Sequence, residues 1–185
     1  MSRQFWSETL VWATASGTAV ADTTTETIIF PNVTIPANYL QDGRTLRITA
    51  FGQYSNTGTP TLIFSLRWGG VSGTVICKTA AITTPSGVTA ATWMLEIIIT
   101  VRSNGFSGTI MGNGVCFCFA AVAGTVASAT GAACVNPMTN GGVVTPAVAT
   151  VDLTADTALS LTATWSAASE SNTLTGLNYL IEALN

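Results

Sequence analysis

The stretch TWMLEIIITVR, residues 92–102, decides the fold class of this chain. Successive side chains of a β-strand point to opposite faces of its sheet, so the stretch places an unbroken apolar series on one face: Trp93, Leu95, Ile97, Ile99 and Val101. The other face mixes polar and apolar side chains. A helix would expose Leu95 and Ile98, and the density of β-branched residues disfavours one. The stretch therefore predicts a central strand whose apolar face lines a core.

The same alternation recurs along the chain. It is clear in residues 45–54, 61–68 and 159–165, where apolar side chains occupy every second position. In the last segment, 173–184, it places Leu177, Tyr179 and Ile181 on one face and Leu174 and Leu180 on the other. Turn residues separate roughly eight to ten such strands, and no helical pattern stands out. The sequence predicts an all-β protein, an antiparallel β-sandwich of the jelly-roll type.

The composition predicts a protein whose surface is largely covered by neighbouring molecules. The chain has 185 residues, enough for one domain with a sizeable core. Only 8% of its residues are charged, against about 25% in a typical soluble domain. Small neutral residues must therefore cover its surface, which is poorly suited to a dilute monomer. We expect an oligomer or a component of a larger assembly.

Several classes of partner are disfavoured. The net charge is −3 and the six basic residues are scattered, so we expect no nucleic-acid partner. Every apolar run is short and interrupted, so we expect no membrane partner. The first residues lack the apolar core and cleavage site of a signal peptide, which predicts synthesis in a cytoplasm without export by that route.

The cysteines do not form a convincing metal or disulfide motif. Cys116 and Cys118 lie two apart in an extended run, so they share one face, and Phe117 and Phe119 share the other. We favour small buried hydrophobic roles for the cysteines over metal binding, because the chain has no histidine and too few ligands. A disulfide is disfavoured in a reducing compartment.

No catalytic constellation is apparent. The absence of histidine removes the usual general base, although paired carboxylates can still catalyse glycoside hydrolysis. The nearest such pair, Asp152 and Asp156, more simply forms a solvated turn between two strands, with calcium binding as a weaker alternative. We therefore predict no enzymatic activity, no catalytic residues, no metal and no cofactor.

The N-terminal segment supplies the candidate interface residues. Residues 1–24 are expected to form an arm or an edge strand, and residues 25–185 the jelly-roll domain. Three aromatic side chains of the first segment could anchor a subunit contact or stack on a sugar: Phe5, Trp6 and Trp12. The small-residue stretch 122–142 predicts a weak strand and a long surface loop, where function could also lie.

Parts of the sequence resemble small structural proteins encoded by tailed bacteriophages. The resemblance covers most of the chain from Thr25 onward, and it rests on the strand 93–102 and on five further stretches: GRTLRITAFGQYS at 43–55, GTPTL at 58–62, LTATWSAA at 161–168, SNTL at 171–174 and EALN at 182–185. It implies a jelly-roll domain, commonly trimeric, that serves as a head decoration (cement) protein or a fibre component. The resemblance implies no catalytic residues in this chain.

The sequence thus favours a virion structural protein, made in the host cytoplasm, that decorates and cements a capsid. Its expected partners are two further copies of itself and the major capsid protein. The alternative is a fibre or spike component that binds a host receptor or glycan.

Overall fold

The computed structural model describes residues 7–119, 135–140 and 147–184, and in this part of the chain every regular element is a β-strand. The strands are β1 (Glu8–Trp12), β2 (Val20–Ala21), β3 (Thr27–Ile28), β4 (Val33–Ile35), β5 (Thr45–Ser55), β6 (Thr61–Trp68), β7 (Thr74–Lys78), β8 (Ile82–Thr83), β9 (Ala91–Ser103), β10 (Gly108–Cys118), β11 (Val135–Met138), β12 (Val148–Val151), β13 (Thr157–Trp165) and β14 (Thr173–Ala183). No helix that could span a lipid bilayer occurs among the described residues.

Two antiparallel sheets form a sandwich with jelly-roll connections. The large sheet has the order β1-β14-β5-β9-β10-β11, with β2 and β12 added, and the small sheet has the order β3-β13-β6-β7, with β4 and β8 added. In each sheet a late strand lies between an early and a middle one: β14 between β1 and β5, and β13 between β3 and β6. This return of the chain is the Greek-key connection of a jelly roll. The predicted fold class is confirmed.

Strand β9 has the central position that its sequence predicts. It pairs with β5 on one side and β10 on the other, over almost its whole length. All five side chains of its apolar face, Trp93, Leu95, Ile97, Ile99 and Val101, are buried. Across the core, the Trp93 ring packs against Phe64 of the small sheet with ring centroids 5.0 Å apart. In β9, the alternation in the sequence therefore matches the division between the core face and the outer face of the strand.

Strand β14 departs from the sequence prediction because it contains a β-bulge. Leu177 and Asn178 together stand opposite Phe51 of β5, and the register shifts between Gly176 and Asn178. The extra residue reverses the alternation, so Leu174 is buried on the same face as Tyr179, whereas Leu177 is 45% exposed. The predicted placement of Leu177 on the same face as Tyr179, and of Leu174 on the opposite face, is therefore wrong.

The N-terminal strands lie along the edge of the large sheet. Both β1 and β2 pair with β14. A polar cluster fixes the start of β1: the Tyr39 hydroxyl donates to Glu8 at 2.8 Å, and Arg44 donates to the Tyr39 hydroxyl at 2.6 Å. The described part of residues 1–24 is thus hydrogen-bonded to the sandwich.

A polar network covers the outer face of the small sheet. The Arg67 guanidinium donates two hydrogen bonds to the Glu26 carboxylate, at 2.5 and 2.6 Å, and a third to the Gly73 carbonyl at 2.7 Å. The buried Thr162 hydroxyl also donates to Glu26. Burial would raise the pKa of Glu26, but the hydrogen bonds from Arg67 and Thr162 and the charge of Arg67 outweigh it and hold the pKa below its ordinary value.

This network makes a testable contribution to stability. A carboxylate with a lowered pKa stabilises the fold above its unfolded-state pKa of about 4.5, and this stabilisation is lost as the pH falls through the folded-state pKa. We expect Glu26→Gln to lower the free energy of unfolding by about 1–3 kcal/mol at pH 7. The difference from the wild type should shrink below about pH 4.5. Urea unfolding across this pH range measures the difference in free energy of unfolding. Glu170→Gln, in an exposed loop, is the control. Equal pH profiles for Glu26→Gln and the wild type would contradict the prediction.

Candidate functional site

Of the three predicted interface residues, the structure describes Trp12 alone. Its indole is 66% exposed at the end of β1, while Phe5 and Trp6 lie outside the described residues. The backbone around Trp12 is fixed, because Trp12 pairs with Leu180 and the Ala13 amide donates to the Tyr179 carbonyl at 2.7 Å. An exposed aromatic ring on an ordered strand edge is a feature of binding sites.

Trp12 lies at the rim of a groove between the edges of the two sheets, which we call the seam groove. Residues 11–18, at and after the edge strand of the large sheet, form one wall, and residues 28–34, at the edge of the small sheet, form the other. Tyr179 completes the lining, and the volume is about 770 Å³. A jelly roll is open along this seam, since the edge strands of its two sheets do not pair with each other.

The floor of the seam groove is an aromatic stack. The rings of Phe30 and Tyr179 lie 4.7 Å apart at an interplanar angle of 7°. Gly176 makes room for this stack, because a Cβ atom at that position would lie 2.2 Å from Cζ of Phe30. The Tyr179 hydroxyl is buried and makes no hydrogen bond within the described part of the chain, and burial raises its pKa above the ordinary value. The floor is thus rigid, apolar and neutral.

The walls of the seam groove are mostly apolar, with polar but uncharged side chains set among the apolar ones. No charged residue occurs in the lining that the structure describes. The hydroxyls of Thr14, Ser16 and Thr18 on one wall are exposed and have no hydrogen-bond partner among the described residues. On the other wall, the buried Ser160 hydroxyl donates to Oδ1 of Asn32 at 2.6 Å, which fixes the carboxamide and leaves its NH₂ group to donate elsewhere. Both walls therefore offer neutral hydrogen-bonding groups.

A second surface lies on the outer face of the large sheet. Five apolar side chains form a row across four neighbouring strands, and we call them the apolar row: Leu177, Phe51, Met94, Phe117 and Phe119. Cross-strand pairing aligns the row, because Met94 stands opposite both Phe51 and Phe117. Phe119 extends it, with its ring 6.5 Å from that of Phe117. At the usual strand spacing the row spans about 15 Å.

The apolar row is accessible, and Glu96 lies beside it on the outer face of β9, two residues from Met94. Phe51, Phe119 and Leu177 are 37%, 41% and 45% exposed. Along β5, the ion pair nearest to the row joins Arg47 to Glu182 of β14 at 2.9 Å. Both charges are therefore paired within the large sheet. A contiguous apolar patch of this kind is typical of a protein contact surface.

The candidate carboxylate pair has local structural roles. One Asp152 oxygen accepts hydrogen bonds from the backbone and hydroxyl of Thr154, at 2.8 and 2.6 Å, and these bonds hold the pKa of Asp152 below its ordinary value. Asp156 accepts from the Ala37 amide at 2.8 Å. Both residues lie in the turn between β12 and β13, as the sequence indicates. Among the described residues, no group of three potential metal ligands occurs.

The three described cysteines are buried, as the sequence predicts. Cys116 and Cys118 are buried on the core side of β10, as free thiols with their sulfurs 3.9 Å apart, while Phe119 is exposed on the other side. Cys77 is also free and buried, and burial raises its pKa to about 12. Cys134 lies outside the described residues, as does most of the predicted loop 122–142, of which residues 135–138 form β11.

Sequence reasoning found Trp12 but missed the rest of the two surfaces. The seam groove joins residues that are more than 100 positions apart, such as Trp12 and Tyr179. The apolar row was present in the sequence as apolar residues on the mixed faces of strands, such as Phe51 and Met94. Aligning those residues would have required the strand register, which the sequence alone does not supply.

No protein-family model matches the sequence, and no curated protein matches it significantly. Among solved structures, the chain is similar to the CBM2 module of the evolved Dit of Lactobacillus casei BL23 phage J-1. The TM-score is 0.38 at 9% sequence identity, over 99% of this chain and 98% of that one. A similarity of this degree assigns neither a family nor a function, so function must be inferred from the seam groove and the apolar row.

Proposed function

We propose that this protein is a structural component of a tailed-bacteriophage virion, a homotrimer that decorates and cements the capsid. The apolar row is the observation that carries the proposal, because it gives the chain a protein contact surface. The low content of charged residues, 8%, and the resemblance of the strand sequences to phage structural proteins support it. The proposed role has no catalytic step.

The apolar row is assigned to contacts between copies of this chain. The row itself contains no charged side chain, and it is best buried by another surface with few charges, because a charged partner would lose solvation without gaining an ion pair there. The chain itself has such a surface. Burial of apolar area contributes about 25 cal/mol per Å², so a row of large side chains can hold subunits together. Loops and the N-terminal segment would then contact the major capsid protein.

The expected oligomer gives the first test. Native mass spectrometry should find a particle of three times 19.0 kDa. Replacing two phenylalanines of the row, in the variant Phe51→Ser with Phe119→Ser, should weaken the trimer about tenfold or more, because a contact can bury the exposed 37% and 41% of the two side chains, worth about 1 kcal/mol for each ring.

A matched control separates the row from exposed aromatic residues in general. Phe106 is 77% exposed in the turn after β9, away from the apolar row. Phe106→Ser should leave the trimer intact. A monomeric wild type, or a double variant that remains trimeric, would contradict the assignment.

The cementing role predicts a second effect. A protein that binds only the assembled shell stabilises it by mass action. We expect capsids that lack this protein to lose integrity at lower temperature than complete capsids, and re-addition of the purified protein to restore the difference. Equal thermal stability of the two capsids would count against cementing.

A second candidate function is favoured by the seam groove. A fibre or spike component that binds a host glycan would need an aromatic platform beside neutral hydrogen-bonding groups, and Trp12 with the groove walls supplies both. This candidate differs from capsid decoration in the number of copies per virion.

A further inference from the structure

We propose that the seam groove is a binding site for a neutral oligosaccharide, with Trp12 as the stacking platform. This inference deepens the second candidate function, but it does not depend on the location of the protein in a virion. Three features of the groove support it: the exposed indole, the uncharged hydrogen-bonding groups on both walls and the volume.

The platform is preorganised. Pyranose rings present a face of C–H groups that packs on an aromatic ring, and a bulky indole gives the largest such surface. Trp12 is 66% exposed, while the Ala13 amide next to it is bonded to Tyr179 and the Gly17 amide to the Gly176 carbonyl at 2.8 Å. Two anchors on β14 thus fix the wall that carries the indole. Binding need not order this backbone, which reduces the entropic cost.

The polar groups of the walls match sugar hydroxyls. Thr14, Ser16 and Thr18 can donate or accept, and the Asn32 NH₂ group is a potential donor on the opposite wall. A sugar hydroxyl is also both donor and acceptor, so it can pair with either kind of group. The carboxamide of Asn32 is held by a buried serine hydroxyl, as expected of a group that fixes ligand orientation.

The described lining of the groove contains no charged residue, which favours an uncharged ligand. An anionic sugar or a phosphate would find no cation there to compensate its lost hydration. A partner surface made of apolar side chains would bury the wall hydroxyls and the Asn32 amide without hydrogen-bond partners. A neutral glycan satisfies these groups and also covers the indole. The groove volume of about 770 Å³ lies within the range of small-ligand sites.

The test is a binding titration of the purified full-length protein. The probes are maltotriose, cellotriose, chitotriose and lactose, with sialyllactose as an acidic comparison, followed by calorimetry and tryptophan fluorescence. We expect at least one neutral probe to bind and to shift the tryptophan emission. Trp12→Ala should weaken that binding about tenfold or more, and Trp12→Phe should retain part of it.

Two further variants complete the design. Asn32→Ala should weaken binding of the same probe several-fold, since one directed hydrogen bond is lost. Phe106→Ala, which removes an exposed aromatic ring elsewhere, should bind as the wild type does. Circular dichroism and native mass spectrometry of each variant monitor folding and oligomeric state.

Three outcomes would overturn the proposal: no binding of any neutral probe at millimolar concentration, a preference for sialyllactose over lactose, or binding that Trp12→Ala leaves unchanged. If Trp12→Ala instead dissociates the oligomer and no probe binds, the groove is a subunit contact. The three binding outcomes do not bear on capsid decoration, which is measured on virions, whereas dissociation of the oligomer by Trp12→Ala would count against assigning the subunit contact to the apolar row alone.

Discussion

Replacing Trp93 with alanine is expected to lower the free energy of unfolding by about 3–5 kcal/mol, the largest effect of any single substitution considered. Trp93 is completely buried in the central strand β9 and packs against Phe64 of the opposite sheet. Its removal leaves a cavity between the sheets. The flanking residues are held in strands on both sides, so the cavity cannot easily collapse.

Urea unfolding monitored by circular dichroism measures this loss. Trp12→Ala is the matched control, because it removes the same side chain from an exposed position and should cost within about 0.5 kcal/mol. Trp93→Phe should cost less than Trp93→Ala, since it retains an aromatic ring and the Trp93 indole N–H makes no hydrogen bond within the described residues. A cost below about 1 kcal/mol for Trp93→Ala would show that Trp93 is not at the centre of the core.

Gly176→Ala is expected to lower the free energy of unfolding by about 1–3 kcal/mol. The added methyl group would lie 2.2 Å from the Phe30 ring and would force it away from Tyr179. Because this stack is the floor of the seam groove, the substitution should also weaken binding of any ligand there.

A double-mutant cycle with Phe30→Leu tests the cause of this loss. The three nearest atoms to the added methyl all belong to the Phe30 ring, so a smaller side chain at position 30 should remove most of the clash. We expect the double variant to be more stable than the sum of the two single costs implies. Additive costs would instead point to the backbone of the bulge as the source of the effect.

The fold was largely predictable because the decisive information is local. Each long strand has a run of alternating side chains, and in β9 the apolar half of that run became the core face without exception. Turn residues separate these runs into short strands, and this pattern predicted an all-β fold. The alternation failed in β14, where the bulge at Leu177 reversed it. A bulge depends on how two strands pair, so a single strand's pattern does not reveal it.

The candidate sites were less predictable because they are assembled from distant residues. Trp12 was identified as an aromatic anchor, but its groove needs Tyr179, which the pairing of β14 with β1 brings near, and Asn32, which lies at the edge of the opposite sheet beside β13. The apolar row likewise depends on the register of four strands. Polar residues such as Thr14 and Ser16 carry no local signal that separates a binding wall from an ordinary loop.

The copy number of this protein in purified virions tests the proposed function most directly. Quantitative mass spectrometry of particles from the genome that encodes the chain would give its ratio to the major shell protein. Capsid decoration predicts hundreds of copies per particle, because only the shell lattice offers that many equivalent sites. A few to a few tens of copies would contradict decoration and favour a fibre or spike component, and absence from the particle would contradict any structural role in the virion.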